Sequence, residues 1–310
     1  NLGLVTNTGT ITNTDSIIIT AEGRILNQNI ITNNSLITNG GTITNFKTKT
    51  ITNNNTITNN NIINNSGTIT NVHTTGIITN NSAFDNKSDG TLTNYGKVEA
   101  LVGTLTNSGT FNNTKTSGTI NATLNIVGTF LNKDSGTIVN TGIVENKTNG
   151  TITNAGIFNN IGNVTVKVSS TFTNSNTYRN QVAGSDKGSI EILGTVTSSN
   201  LFSNSGTIKV TSGTLNNSSI LNNDDLFIVN GDVKLLKTSN LTNASVIKVY
   251  KLLRNYGTLT NNLTFTTFDS STLENYNIFT NSTNGIITTS NNFTNKGLNA
   301  TNSDSVDLSG

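Results

Sequence analysis

The chain has 310 residues, of which 32% are apolar and 11% charged, with a formal net charge of +2 and no Cys, Pro, Met or Trp. The lack of Cys excludes disulfides and thiolate metal sites, and the near-neutral charge leaves no electrostatic footprint for nucleic acid. No run of 18 apolar residues predicts insertion into a membrane, no secretion signal is visible, and the absence of Met makes a processed product or a fragment the expectation.

Aliphatic and aromatic residues recur along the chain at steps of six or eight. The N-terminal third runs Ile11, Ile17, Ile25, then Ile31, Ile37, Ile43, then Ile51, Ile57, Ile63, then Ile69, Ile77, Phe84. A step of six is neither a helix period nor a simple strand alternation. It fits a short strand, a corner, and a repeat. Three steps close one coil of 18–23 residues, so the fold expected is all-β, a three-sided parallel β-helix of about 15 coils. At the spacing of neighbouring strands, that is a rod about 70 Å long.

A second residue type keeps the same phase. Two places after the first column Ile11, Ile31, Ile51, Ile69, Leu92, Phe111 and Phe130 stand Asn13, Asn33, Asn53, Asn71, Asn94, Asn113 and Asn132. The third column gives Asn27, Asn45, Asn65, Asn86 and Asn107 by the same rule. Stacked amides hydrogen-bond to one another along a coil axis, and Asn tolerates left-handed corners. Gly precedes the inward residue by two in Gly9-Thr10-Ile11, Gly67-Thr68-Ile69 and Gly103-Thr104-Leu105. A positive φ is expected there, where only Gly adopts it cheaply.

The plan continues through Ile138, Val144, Ile152, Phe158, Val164, Phe172 and Tyr178, then from Ile190 to Val233. One continuous solenoid over 1–310 is expected, most regular over 1–180 and irregular over 181–190 and 233–253. The Asn rule lapses at Leu235 and returns at Asn255, Asn275 and Asn295. Residues 299–310 read as a fraying or truncated end.

The units G-T-I-T-N and G-T-L-T-N, in coils of about 20 residues, resemble the right-handed parallel β-helix repeats of filamentous-haemagglutinin-type adhesins and autotransporter passengers. The resemblance implies handedness, export, an extracellular or cell-surface location, and a role in adhesion or scaffolding. It brings no catalytic motif.

Candidate chemistry is sparse, and no cofactor is expected. His73 is the only histidine and reads as a corner residue. The acid pairs Asp85 and Asp89, Asp224 and Asp225, and Asp269 and Glu274 are the candidates for a polysaccharide-cleaving β-helix of the tailspike kind. Scattered solubilising charge is the competing reading. Phe111, Phe130, Phe158, Phe172 and Phe202 fall on the inward register, which reads as core rather than a sugar platform. Thr10, Thr12, Thr50, Thr52, Thr68, Thr70, Thr91 and Thr93 face outward in rows, interrupted by Ile30 and ending near Thr129. Such rows are one way to present ordered water, so ice binding is an alternative function.

The leading expectation is a non-enzymatic structural protein, part of a surface fibre or adhesin. Its partners would be further coils of the same solenoid or copies stacked end to end, with a host-surface or glycan receptor as the outside partner.

Overall fold

The computed structural model describes residues 3–72, 75–116, 121–290, 293–296, 300–302 and 306–307, which leaves His73 and most of 299–310 outside. The described residues form strands and turns with no helix. The chain divides into two units, Asn1–Gly162 and Asn163–Gly310. Each unit is a parallel β-solenoid with three sheets.

Strands are four residues long almost throughout, and the T-I-T-N sequence explains why. In Thr50–Asn53, Ile51 and Asn53 point inward and are buried, while Thr50 and Thr52 are half-exposed. Ile and Thr are both strand formers, and alternation sends one to the core and the other to solvent. The corner that follows most often has one of two lengths. Two residues, as in 54–55, give a step of six. Four residues, as in 46–49, give a step of eight, with the Lys49 amide donating to the Phe46 carbonyl at 3.1 Å.

In the N-terminal unit the first sheet contains Thr10–Asn13, Ile30–Asn33, Thr50–Asn53, Thr68–Asn71, Thr91–Asn94, Thr110–Asn113 and Thr137–Asn140. The second begins with Ser16–Ile19 and Leu36–Asn39, and the third with Leu4–Asn7, Arg24–Asn27 and Thr42–Asn45. Pairing is parallel and in register, so Ile51 lies over Ile31 and Ile69 over Ile51. The inward residues stack into an axial apolar core. Ile31, Ile37 and Ile43 are at most 3% exposed, and Leu92 and Phe111 are fully buried. Burying an aliphatic side chain of this size stabilises the fold by about 1.5–3 kcal/mol. A single coil presents its three inward residues to water on both sides, so neighbouring coils are what bury them.

The C-terminal unit repeats the plan. Phe172 packs edge-on against Tyr178 with ring centroids 5.5 Å apart, and Tyr178 stacks on Phe202 at 4.6 Å. Residues 181–190 hold a small antiparallel hairpin, Val182–Ala183 with Asp186–Lys187, turned at Gly184 with φ +62. Lys187 reaches Asp225 at 3.2 Å. Residues 233–253 continue the regular strands Asp232–Leu235, Asn240–Asn243, Val246–Val249 and Leu252–Asn255.

Three expectations from the sequence need correction. The first column passes from Phe111 to Ile138, not to Phe130, because Thr110–Asn113 pairs with Thr137–Asn140. Phe130 and Asn132 belong to the third sheet, over Leu105 and Asn107. The cause is a coil of 27 residues between Asn113 and Asn140, longer than the 18–23 expected. In the second column the inward residue is Ile78 rather than Ile77, since Ile78 lies over Ile57 and is 1% exposed.

The glycines are also used differently. None that precedes a solenoid strand has a positive φ among the described residues; apart from Gly184 in the hairpin, the left-handed positions are Thr48, Asn149, Ser169 and Ser270 in four-residue corners. Gly instead permits close stacking. A Cβ on Gly67 would lie 2.3 Å from the carbonyl oxygens of both Lys49 and Phe46.

Candidate functional site

Two arrays stand out, one inside and one outside. The inner array is the asparagine ladder. A regular ladder Asn ends a strand, points inward, and donates from Nδ2 to Oδ1 of the Asn one coil later. Along the first sheet the bonds run Asn13 to Asn33 at 2.6 Å, Asn33 to Asn53 at 2.7 Å, Asn53 to Asn71 at 2.8 Å, Asn71 to Asn94 at 2.8 Å and Asn94 to Asn113 at 2.8 Å. The next is Asn113 to Asn140 at 2.7 Å, while Asn132 accepts from Asn107 at 2.8 Å in the third sheet. The second amide proton reaches backbone carbonyls. Asn33 Nδ2, for example, lies 3.0 Å from the Ser35 oxygen and 2.9 Å from the Thr56 oxygen. A fully buried amide is tolerated because donor and acceptor are both used.

A further ladder in the second sheet was hidden in the sequence by the Ile77–Ile78 doublet. Asn39 donates to Asn59 and Asn59 to Asn80, both at 2.7 Å. The signal is present once Asn is read before Ile, because L-I-T-N at 36–39 and I-I-T-N at 77–80 share their ending. This ladder then gives way to Ala100 and Ile126, both fully buried. In the C-terminal unit one corner column is aliphatic from the start, with Val166, Ile192, Val210, Val229 and Val249 fully buried. Apolar side chains need no partner there, so the corner itself does not require an amide.

The outer array is the threonine face of the first sheet in the N-terminal unit. One row is Thr12, Thr32, Thr52, Thr70 and Thr93, in register. The other row starts at Thr10, is broken by Ile30, and resumes as Thr50, Thr68 and Thr91. It then continues through Thr110 and Thr137, whereas Thr129 sits in the third sheet over Thr104.

Four of the six candidate acids are each held by a cation. Asp85 pairs with Lys87 at 2.7 Å, Asp89 with Lys47 at 3.2 Å and Asp225 with Lys187 at 3.2 Å. Glu274 accepts from Arg254 Nε at 2.6 Å. No group of three metal-ligating side chains occurs among the described residues. Phe111, Phe130, Phe158, Phe172 and Phe202 are all fully buried in the core. Partly exposed rings do occur at corners, where Tyr256 and Tyr276 stack with centroids 4.7 Å apart. Lys296 Nζ lies 5.2 Å from the centroid of the Tyr276 ring, so these rings turn their faces to one another and to a cation.

No protein-family model matches the chain, and no curated protein matches it. Among solved structures it is similar to the crystal structure of a TibA fragment hyper-glycosylated by TibC. The identity is 15% and the TM-score 0.39, over 94% of this chain and 99% of that one. At that level the likeness carries no functional argument.

Proposed function

We propose that this chain is a non-enzymatic structural protein, a segment of an extracellular surface fibre or adhesin. The observation that carries the reading is the polarity of the buried Asn ladder. Regular rungs such as Asn33, Asn53 and Asn71 donate Nδ2 to the following coil and accept on Oδ1 from the preceding one. A further coil of the same kind therefore adds in one direction only, with its amide already matched. Stability in such a fold is close to a sum of coil and interface contributions, which suits a scaffold that grows by repetition. Coils supplied by the same chain or by a second copy meet the same requirement. The outward faces of each coil remain available to a host surface or a glycan.

The test is immunogold electron microscopy of intact source cells, with antibody raised against this chain. Label along surface filaments of unpermeabilised cells is the expected result. Label found only inside permeabilised cells overturns the proposal.

A further inference from the structure

The threonine face has properties that a scaffold does not require. From Thr10 to Asn159 the outward residues of the first sheet in the N-terminal unit include no charged side chain. The other two sheets of that unit carry Arg24 and Asp85, and Lys97, Glu99 and Glu145. At the centre of the neutral face, three consecutive strands each present T-x-T. Thr50, Thr68 and Thr91 form one row of this block, and Thr52, Thr70 and Thr93 the other. In-register pairing holds neighbouring Thr within a row about 4.8 Å apart and the two rows about 6.6 Å apart.

The side chains are ordered as well as aligned. Thr is β-branched and stiff at χ1, so its hydroxyl and methyl keep fixed positions. All six are half-exposed, and none of their hydroxyls hydrogen-bonds to protein among the described residues. The contrast with the inward side is sharp, since Asn53 and Asn71 on the same strands use their amides fully. The outward hydroxyls are left to water, in a rigid two-dimensional array. A neighbouring row of exposed amides begins at the adjacent corner, where Asn54 donates to Asn34 at 2.7 Å.

We propose that this face binds crystalline water, with ice as its ligand. The strand-to-strand spacing of the array lies near an oxygen repeat of the hexagonal ice lattice. Alternating methyl and hydroxyl groups let water settle over the face without dispersing it into a tight, charge-centred shell. A neutral lattice fits a neutral face, and a single Lys or Glu in the block would impose its own hydration. The proposal stands or falls separately from the structural role, because a scaffold needs no affinity for ice.

The experiment uses the whole chain and measures thermal hysteresis and ice-crystal shaping. It compares the unaltered protein with Thr52→Tyr and Thr70→Tyr in the block, and with Thr58→Tyr, also half-exposed, on the second sheet. Circular dichroism checks that each variant is folded, and sedimentation velocity gives the oligomeric state. The unaltered chain and T58Y are expected to shape crystals and open a hysteresis gap, which T52Y and T70Y lose. No effect from the unaltered chain overturns the proposal, as does equal activity in T52Y, T70Y and T58Y. A dimer that T52Y dissociates would assign the face to a second copy of the chain and overturn it equally.

Discussion

Asn53 Nδ2 donates to Asn71 Oδ1 at 2.8 Å, and the same amide lies 3.0 Å from the Ile77 carbonyl oxygen. Asn53 Oδ1 in turn accepts from Asn33. One side chain thus joins three coils at a point closed to water. Replacing it with Leu keeps most of the volume but removes both roles. The Asn71 oxygen then stays buried without its donor, which costs about 1–3 kcal/mol. Asn53→Leu is expected to lower stability by that amount in urea unfolding monitored by circular dichroism. An unchanged midpoint would show that the ladder contributes little at this rung.

The ladder has a gap that a single substitution should close. Asn174 Nδ2 donates to the Ser198 hydroxyl at 3.1 Å, but that hydroxyl turns to the Asn200 carbonyl. Asn217, one coil later, keeps a buried Oδ1 with no partner. Ser198→Asn supplies an amide that accepts from Asn174 and donates to Asn217, as the rungs in neighbouring coils do. A gain of about 0.5–1.5 kcal/mol is expected. A rise in the thermal unfolding temperature checks it.

Close stacking makes some glycines indispensable and others not. Gly67→Ala would place a Cβ 2.3 Å from two backbone oxygens, which only a shift of the corner relieves. Gly9→Ala meets nothing within 4 Å. Both belong to a G-T-I-T-N unit. Destabilisation by about 1–3 kcal/mol is expected for G67A and little change for G9A. Equal effects would point to backbone entropy rather than contact.

Acid should loosen one outward patch. The Thr211 hydroxyl, 2.7 Å from Glu191 Oε1, holds the Glu191 carboxyl below its usual pKa, with help from Lys209. A depressed folded pKa means the stabilisation is fully present above the unfolded value and is lost as pH falls through the folded one. Thr211→Val removes the largest cause, so the Glu191 titration should move up toward the ordinary carboxylate range. Carboxyl chemical shifts followed by NMR between about pH 2 and 6 measure this directly.

The repeat, the four-residue strands and most of the core are legible in the amino-acid order. Inward Ile and Asn alternate with outward Thr at fixed spacing, and alternation is a local property. Phe130, Phe158 and Tyr178 read as core for that reason. Which repeat lies on which is settled by the folded chain instead. The 27-residue coil moved Asn132 into the column of Asn107 and brought Asn140 over Asn113. The Ile77–Ile78 doublet found its phase only by pairing with Thr56 and Ile57. The same holds for the threonine row that starts at Thr10, which continues to Thr137 because strands far apart in the chain pair in register. The glycine role was equally invisible, since a backbone oxygen from the previous coil, not the local φ, is what excludes a Cβ at Gly67. Pattern along a chain fixes which way a side chain points. Only stacking fixes its neighbour, and the ladder and the threonine face are both made of neighbours.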